Sequence, residues 1–169
     1  MKSLYKSDLH RNSFPPLYQF WLRKLQENPN AIMKIIYKVF NRVFQFAYSC
    51  EISYLAKIGE GLYIGHPYNI TINPNAIIGK NCIIHKGVTI GQENRGKRKG
   101  TPTIHSHVWI GVNSTIVGNV VIGDDVLIAP NSYVNCDVPP HSIVFGNPCI
   151  IKHRMNATQS YINRPVGNS

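Results

Sequence analysis

The sequence predicts a mainly β protein: a parallel β-helix of hexapeptide repeats preceded by a short N-terminal α-helical segment. Two observations carry this prediction. Aliphatic residues recur at every sixth position through the middle of the chain, and a small or slim residue stands two positions before most of them. A period of six matches neither an α-helix nor an isolated strand, and it is typical of a solenoid whose repeats each supply a short strand and a turn.

The composition sets outer limits on the function. The chain has 169 residues, 43% of them hydrophobic, so it is long enough for one domain with a core. It carries 18 Lys and Arg against 8 Asp and Glu, and this net charge of +10 favours anionic partners. No aromatic residues alternate with the basic ones, so we expect no nucleic-acid partner. The start of the chain lacks a signal-peptide pattern, so we expect a cytoplasmic protein.

Residues 1–50 form the predicted helical segment, with helices over 17–26 and 31–48 and with Asn28 or Asn30 as the cap of the second. One face of the second helix is polar and the rest is apolar. The favoured interpretation is packing of the apolar face on the β-helix or on a partner subunit. The alternative is peripheral contact of residues 31–48 with a membrane, at its inner face.

The repeat occupies three phased blocks. Its aliphatic positions are Ile52, Ile58 and Ile64; Ile72, Ile78, Ile84 and Ile90; and Ile104, Ile110, Ile116, Ile122, Ile128 and Val134. If three repeats complete one coil, each aliphatic stacks on the one three repeats later: Ile104 on Ile122, Ile110 on Ile128, and Ile116 on Val134. Cys82 falls on a small inward position, so we expect it in the core. The four cysteines form no C-x-x-C pair, and we expect reduced thiols.

The phase breaks twice, and each break marks an insertion that must leave the solenoid at a corner. Ile64 and Ile72 are eight residues apart instead of six, and the added residues surround His66. Ile90 and Ile104 are fourteen residues apart, and the longer insertion contains the basic run 95–99. Counting places the two insertions at different corners. Insertions in a solenoid are common positions for functional residues.

From Glu51 to about Lys152 the chain resembles the hexapeptide acyltransferases, and within them the serine acetyltransferases. The matching features are the phased repeat, Gly65-His66, the segment 84–91, the loop ending 101–104, and 138–141 followed by 146–148. The resemblance implies a left-handed β-helix, acetyl-CoA as co-substrate and a homotrimer, with pairing of trimers left open. No two histidines are five residues apart, the spacing used by zinc-binding enzymes of this fold, so we expect no metal. We therefore divide the chain into a helical segment 1–50, an acyltransferase domain 51–152 and a C-terminal tail 153–169, which we expect to be loose.

The resemblance implies that His66 is a general base and that Glu51, fifteen residues earlier, is the carboxylate that assists it. The chemistry supports such a pair. A hydroxyl is a poor nucleophile at neutral pH, so a base must remove its proton as it attacks the thioester carbonyl. A carboxylate on the other imidazole nitrogen fixes the tautomer and stabilises the imidazolium. We expect direct attack without an acyl-enzyme.

Further site residues are expected around the donor and the acceptor. Those expected to contact acetyl-CoA are Gly111, Ala129, Gly146, Asn147 and Lys152, and the lysine could pair with a phosphate. Those expected to contact the acceptor are His85, Tyr68 and Asn69. The alternative for these residues is ordinary turn chemistry or a solvated surface position.

Three positions depart from the serine acetyltransferase pattern. Gly65 stands where that family carries Asp, and Gly100-Thr101 stands where it carries Arg-His. In the family these residues bind the acceptor and its charged groups, so we expect a neutral acceptor: a sugar hydroxyl in surface polysaccharide biosynthesis. The alternative is serine O-acetylation in cysteine biosynthesis. Two other classes stay open, a metal-dependent hydratase on the same fold and a non-catalytic scaffold.

Overall fold

A computed structural model describes residues 3–12, 16–27 and 29–167 of the chain. Within these ranges three helices precede the β-helix: α1 (Leu4–Arg11), α2 (Leu17–Gln26) and α3 (Ala31–Tyr48). The bounds of α2 and α3 agree with the prediction, whereas α1 was not predicted. Asn30 caps α3, because its side chain accepts a hydrogen bond from the Met33 amide at 2.9 Å. The other candidate cap, Asn28, lies outside the described residues.

The strands are short and regularly spaced. They are β1 (Glu51–Ile52), β2 (Lys57–Ile58), β3 (Tyr63–Gly65), β4 (Thr71–Ile72), β5 (Ile77–Ile78), β6 (Ile83–His85), β7 (Thr89–Gly91), β8 (Thr103–Ile104), β9 (Trp109–Ile110), β10 (Thr115–Val117), β11 (Val121–Ile122), β12 (Val126–Ile128), β13 (Tyr133–Val134), β14 (Ser142–Phe145) and β15 (Ile150–His153). They form three sheets: side A with β1, β4, β7, β10 and β13; side B with β2, β5, β8 and β11; and side C with β3, β6, β9, β12, β14 and β15.

The aliphatic repeat builds the core. The three predicted stacks are all present: Ile104 pairs with Ile122, Ile110 with Ile128, and Ile116 with Val134. The small inward residues are buried beside them, and Cys82 is among them. Among the strands named above, pairing is parallel except between β14 and β15, which are antiparallel. The predicted fold class, a mainly β parallel β-helix with a helical N-terminal segment, is therefore confirmed.

An ion pair ties the helices to the first coil. The Asp8 carboxylate on α1 accepts hydrogen bonds from Arg23 Nε at 2.7 Å and from the Leu62 amide at 2.9 Å. Arg23 in turn donates to the carbonyl oxygens of Ile58 and Gly59. Both side chains of the ion pair are fully buried. At this end of the solenoid the pair therefore supplies the hydrogen bonds that water would otherwise make to the backbone of the first coil.

Helix α3 turns its polar face toward the β-helix. Asn41 is buried, and Gln45 Nε2 donates to the Ile52 carbonyl at 3.2 Å. Phe44 and Tyr48 pack partly against the core, but most of the apolar residues of α3 are exposed. The expected packing of the apolar face on the chain's own β-helix is therefore wrong for most of its residues, because polar contacts to the first coil fix the opposite orientation.

The expectation of a loose C-terminal tail is also wrong. The residues after β15 return along the outside of side C, and the rings of Tyr161 and Trp109 lie 5.0 Å apart. Nearer the chain end, the Val166 amide donates to Asn81 Oδ1 at 2.8 Å. Ala157 and Thr158 are buried. Hydrogen bonds to distant coils, rather than a local sequence pattern, hold the tail in place.

Candidate active site

The first insertion leaves the solenoid at the corner between side C and side A, after β3 and before β4. His66 there has a φ of 57° and an exposed side chain. Its carbonyl oxygen accepts a hydrogen bond from the Tyr68 amide at 2.8 Å, which closes the turn. The Cys50 thiol donates to the Pro67 carbonyl at 3.2 Å. The turn therefore holds the His66 backbone in place and leaves its imidazole free to meet a substrate.

Tyr68 and Asn69 lie in the same insertion as His66. The Tyr68 ring is 5.5 Å from the ring of Tyr48, at the end of α3. The Asn69 amide donates to the Tyr48 carbonyl at 3.2 Å, and Asn69 has a φ of 60°. These contacts show that both residues shape the turn. Their side chains are exposed in the same turn as His66, and their contact with the acceptor remains a prediction.

His85 lies next to the base in the neighbouring coil, where it pairs with Gly65 in the register of β3 and β6. Its ring is half-buried and packs 5.0 Å from the ring of Trp109. Burial lowers the pKa of His85, and the positive charge of a protonated His66 lowers it further. His85 is thus held neutral at neutral pH, and it places an uncharged imidazole beside the predicted base.

Glu51 begins β1 on side A and pairs with Thr71 of β4. No hydrogen bond joins its carboxylate to His66 in the part of the chain that the structure describes, so the assisting role of Glu51 remains a prediction. Glu51 instead lines a cleft of about 690 Å³ between α3 and side A. Lys38, Asn41 and Arg42 of α3 line the same cleft. His66 does not line it.

One residue that lines the cleft, Asn41, has a buried polar atom. Asn41 Oδ1 has no hydrogen-bond partner among the described residues. Buried oxygens normally accept at least one hydrogen bond, so this atom lacks a donor. The residues predicted from the sequence did not include Asn41, Lys38 or Arg42, which line this cleft. The signal was present in the polar face of α3, but that pattern alone does not say which face turns toward the β-helix.

The predicted donor residues follow one line along side C. In the register of its strands, Gly111 stands above His85, and Ala129 stands above Gly111. A Cβ on Gly111 would lie 2.6 Å from the Pro130 nitrogen, so packing already requires glycine there. Gly146, with a φ of 91°, and the exposed Asn147 follow β14 in the last coil.

Lys152 lies on β15, opposite Ile143 of β14. Its ammonium stands 5.6 Å from the centre of the Phe145 ring and forms no ion pair with a described carboxylate. The structure thus places the donor candidates in neighbouring coils of one side. Their contact with acetyl-CoA remains a prediction.

The second insertion lies at the corner between sides A and B, so the two insertions occupy different corners, as predicted. Glu93 and Gly100 form an antiparallel bridge at its base, and residues Gly96–Arg98 form a short 3₁₀ helix. The Asn119 amide donates to the Arg98 carbonyl at 2.9 Å and fixes the loop to the next coil. The basic side chains point to solvent. In the described ranges, no three His, Cys, Asp or Glu side chains converge as a metal site would require.

Comparison with known proteins gives a consistent set of relatives. Residues 101–136 match the family model "Bacterial transferase hexapeptide (six repeats)". A serine acetyltransferase of Synechococcus elongatus is 31% identical over 72% of this chain and 50% of its own length. One from Helicobacter pylori is 34% identical over 66% of each chain. The chain thus spans about half to two thirds of the length of these relatives.

Solved structures agree with the fold. Neisseria gonorrhoeae serine acetyltransferase in complex with serine superposes with a TM-score of 0.64 at 29% identity, covering 79% of this chain and 53% of that one. Brucella abortus serine acetyltransferase in complex with coenzyme A gives a TM-score of 0.75 over 90% of this chain and 67% of that one. At 22% identity the second likeness concerns the fold alone. Together they support the left-handed winding of the β-helix.

These findings correct the predicted acceptor. The sugar hydroxyl in surface polysaccharide biosynthesis is wrong, because the relatives described above are serine acetyltransferases and none points to a glycan. The prediction rested on the uncharged residues at positions 65, 100 and 101. That prediction did not consider the charged residues of the helical segment. In the structure, α3 places Lys38 and Arg42 in the lining of a cleft beside side A.

Proposed function

Because the chain belongs to the hexapeptide-repeat acyltransferases and resembles the serine acetyltransferases among them, we propose that it transfers an acetyl group from acetyl-CoA to the hydroxyl of serine. The observation that carries the proposal is the position of His66. A histidine on an exposed turn, held by backbone contacts and next to a neutral second imidazole, is suited to act as a general base.

In the proposed reaction His66 takes the proton of the serine hydroxyl while the oxygen attacks the thioester carbonyl. The bond from carbon to sulfur then breaks, the acetyl group stays on serine, and the coenzyme A thiolate takes the proton from the imidazolium. No acyl-enzyme forms. Since His85 is neutral, it adds no second positive charge beside the imidazolium that forms on His66. Glu51 is proposed to orient the imidazole and to stabilise its charged form.

The donor residues fit coenzyme A in their chemistry. Coenzyme A supplies the acetyl group as an activated thioester. Main-chain groups around Gly111, Ala129 and Gly146 can hydrogen-bond its amide-bearing arm. Lys152 has no carboxylate partner in the described residues, so its ammonium is available for a phosphate.

The cleft under α3 offers cations for the carboxylate of an amino acid. Arg42 and Lys38 line it and can pair with that carboxylate. These two cations take the place of the charged residue that binds the carboxylate in the family pattern. We therefore propose that the helical segment, rather than the long loop, binds the carboxylate of serine.

We also propose a homotrimer. The resemblance to the hexapeptide acyltransferases implies this assembly. In a single chain the His66 turn and the basic loop occupy different corners, and neighbouring subunits around a threefold axis would bring different corners together. The pairing of two trimers is left out of the proposal.

The test is turnover by the purified full chain with acetyl-CoA and L-serine, followed by loss of thioester absorbance. We expect His66→Ala to lower kcat by about 10² or more. The matched control is His107→Ala. His107 has a φ of 58° and His66 has a φ of 57°, so alanine meets the same backbone strain at both positions. If the wild-type protein does not acetylate serine, or if both variants lose equal activity, the proposal is wrong.

The acceptor cleft has its own test. Arg42→Gln should raise KM for serine about tenfold or more, because it removes one charged hydrogen bond, and it should change kcat less. Lys34→Gln on the same helix is the control, since Lys34 does not line the cleft. An unchanged KM in Arg42→Gln would remove α3 from the acceptor site.

A further inference from the structure

Helix α3 presents a continuous apolar face to the outside of the molecule. The exposed residues recur at helical spacing along its full length, and they are Ile32, Ile35, Ile36, Val39, Phe40, Val43 and Phe46. Phe46 is the most exposed of them at 89%. Soluble proteins rarely expose an apolar surface of this kind unless it meets a partner or a membrane.

The orientation of this face is fixed by contacts on the other side of the helix. Asn41 is buried, Gln45 Nε2 donates to the Ile52 carbonyl, and the ring of Phe44 packs against the core. At the C-terminal end of the helix, the Ser49 amide donates a hydrogen bond to the Phe46 carbonyl, and the Cys50 amide donates one to the Gln45 carbonyl. The helix therefore cannot rotate to bury its apolar face without losing these contacts.

The charges that α3 itself carries have one sign. Residues 31–48 contain Lys34, Lys38 and Arg42 and no acidic residue. Lys38 and Arg42 lie along one edge of the exposed face, where they line a shallow groove with Val39, Val43 and Phe46. A cationic edge beside an apolar face is the arrangement of helices that lie in the boundary between lipid headgroups and acyl chains.

We propose that α3 docks the protein on an anionic membrane surface, with its outer apolar face buried among the lipids. The alternative occupant, α3 of a second copy, would bring two helices with only positive charges together and leave those charges unpaired. The exposed residues also cover more of the helix surface than the narrow seam of a two-helix contact. Since no described helix is long and apolar enough to cross a membrane, the helix would lie along the surface.

The experiment is co-sedimentation of the full chain with vesicles of phosphatidylcholine alone or with about 30% phosphatidylglycerol. We expect binding to the anionic vesicles at least about fivefold above the neutral ones, and a loss of most of this binding at high salt. The variant Ile35→Ser/Val39→Ser/Phe46→Ser should weaken binding about tenfold or more. The matched control is Leu55→Ser, an exposed apolar residue outside α3.

A second readout keeps the proposal testable if the triple variant folds poorly. Phe46→Trp should show a blue-shifted emission and quenching by brominated lipids when anionic vesicles are added. The proposal is overturned if the wild type binds neutral and anionic vesicles equally or not at all. It is also overturned if the triple variant changes the size of the assembly in solution, because the face would then be a contact between subunits.

Discussion

The imidazole of His85 occupies the space directly beside Gly65. A Cβ built on Gly65 would lie 2.6 Å from His85 Nδ1, closer than real atoms approach. The two residues pair in neighbouring coils, and the next residue after Gly65 is the proposed base. Gly65 and His85 are therefore coupled. While the His85 ring occupies this space, there is no room for a side chain at position 65.

The first prediction concerns this coupling. Gly65→Ala should destabilise the protein by about 1–3 kcal/mol and lower activity, because the new methyl group must displace the His85 ring next to His66. In His85→Ala the same substitution should cost much less. A double-mutant cycle of urea unfolding and of turnover with serine measures the coupling. Costs of Gly65→Ala that are equal in the two backgrounds would contradict the contact.

The second prediction is the pH dependence that His85 confers on stability. Its folded pKa is lowered, so the folded state binds fewer protons than the unfolded state once the pH falls below the unfolded value of about 6.5. This part of the unfolding free energy therefore falls as the pH drops, and it becomes constant below the folded pKa. His85→Phe should lose less stability than the wild type between pH 8 and pH 5. His153→Phe, at an exposed position, should behave like the wild type.

The third prediction concerns the buried ion pair that closes the first coil. Asp8→Ala should destabilise the protein by about 3–5 kcal/mol, because it leaves the Arg23 guanidinium buried without a counter-charge. Lys24→Ala is the control, since the Lys24–Glu27 pair is partly exposed and worth less than about 1 kcal/mol. The measurement is the free energy of unfolding by urea. Equal costs for the two variants would mean that the ion pair is not essential to the closure of the solenoid.

The repeat made the β-helix predictable because each inward position requires an aliphatic side chain. Once the phase was established, the pairing of Ile110 with Ile128 followed from counting alone. The His66 insertion was predictable for the same reason, since extra residues in a solenoid must leave at a corner. Local amphipathic patterns also located α2 and α3 with their observed bounds.

Contacts between distant parts of the chain could not be predicted in this way. Helix α1 is held by Asp8, whose partners Arg23 and Leu62 lie 15 and 54 residues away. The pattern of α3 showed two different faces, but the contacts of Asn41 and Gln45 decide which face turns inward. The charges that line the cleft under α3 depend on that orientation, so the sequence pattern could not place them there although the predicted fold was right.

The C-terminal tail gives the last prediction, because a single carboxylate holds its start. Asp125 accepts hydrogen bonds from the Ala157 amide at 3.0 Å, the Thr158 amide at 2.9 Å and the Thr158 hydroxyl at 2.7 Å, and it lies 2.9 Å from His141 Nδ1. Burial alone would raise the pKa of Asp125, but the hydrogen bonds from His141 and Thr158 outweigh it and hold the pKa below its usual value. The stabilisation is therefore complete above the unfolded pKa of about 3.9 and is lost as the pH falls through the folded pKa.

Asp125→Asn should release the tail at neutral pH, because an amide nitrogen cannot accept the hydrogen bonds that one carboxylate oxygen now accepts. We expect a loss of about 1–3 kcal/mol and faster tryptic cleavage after Arg154, while the core of the β-helix stays resistant. Asp124→Asn is the matched control. The Asp124 carboxylate is adjacent in sequence, but it accepts a hydrogen bond from the Ser106 amide and makes none with the tail. If both variants are cleaved at the wild-type rate, the tail is held by the Trp109–Tyr161 contact and the Asn81–Val166 hydrogen bonds instead.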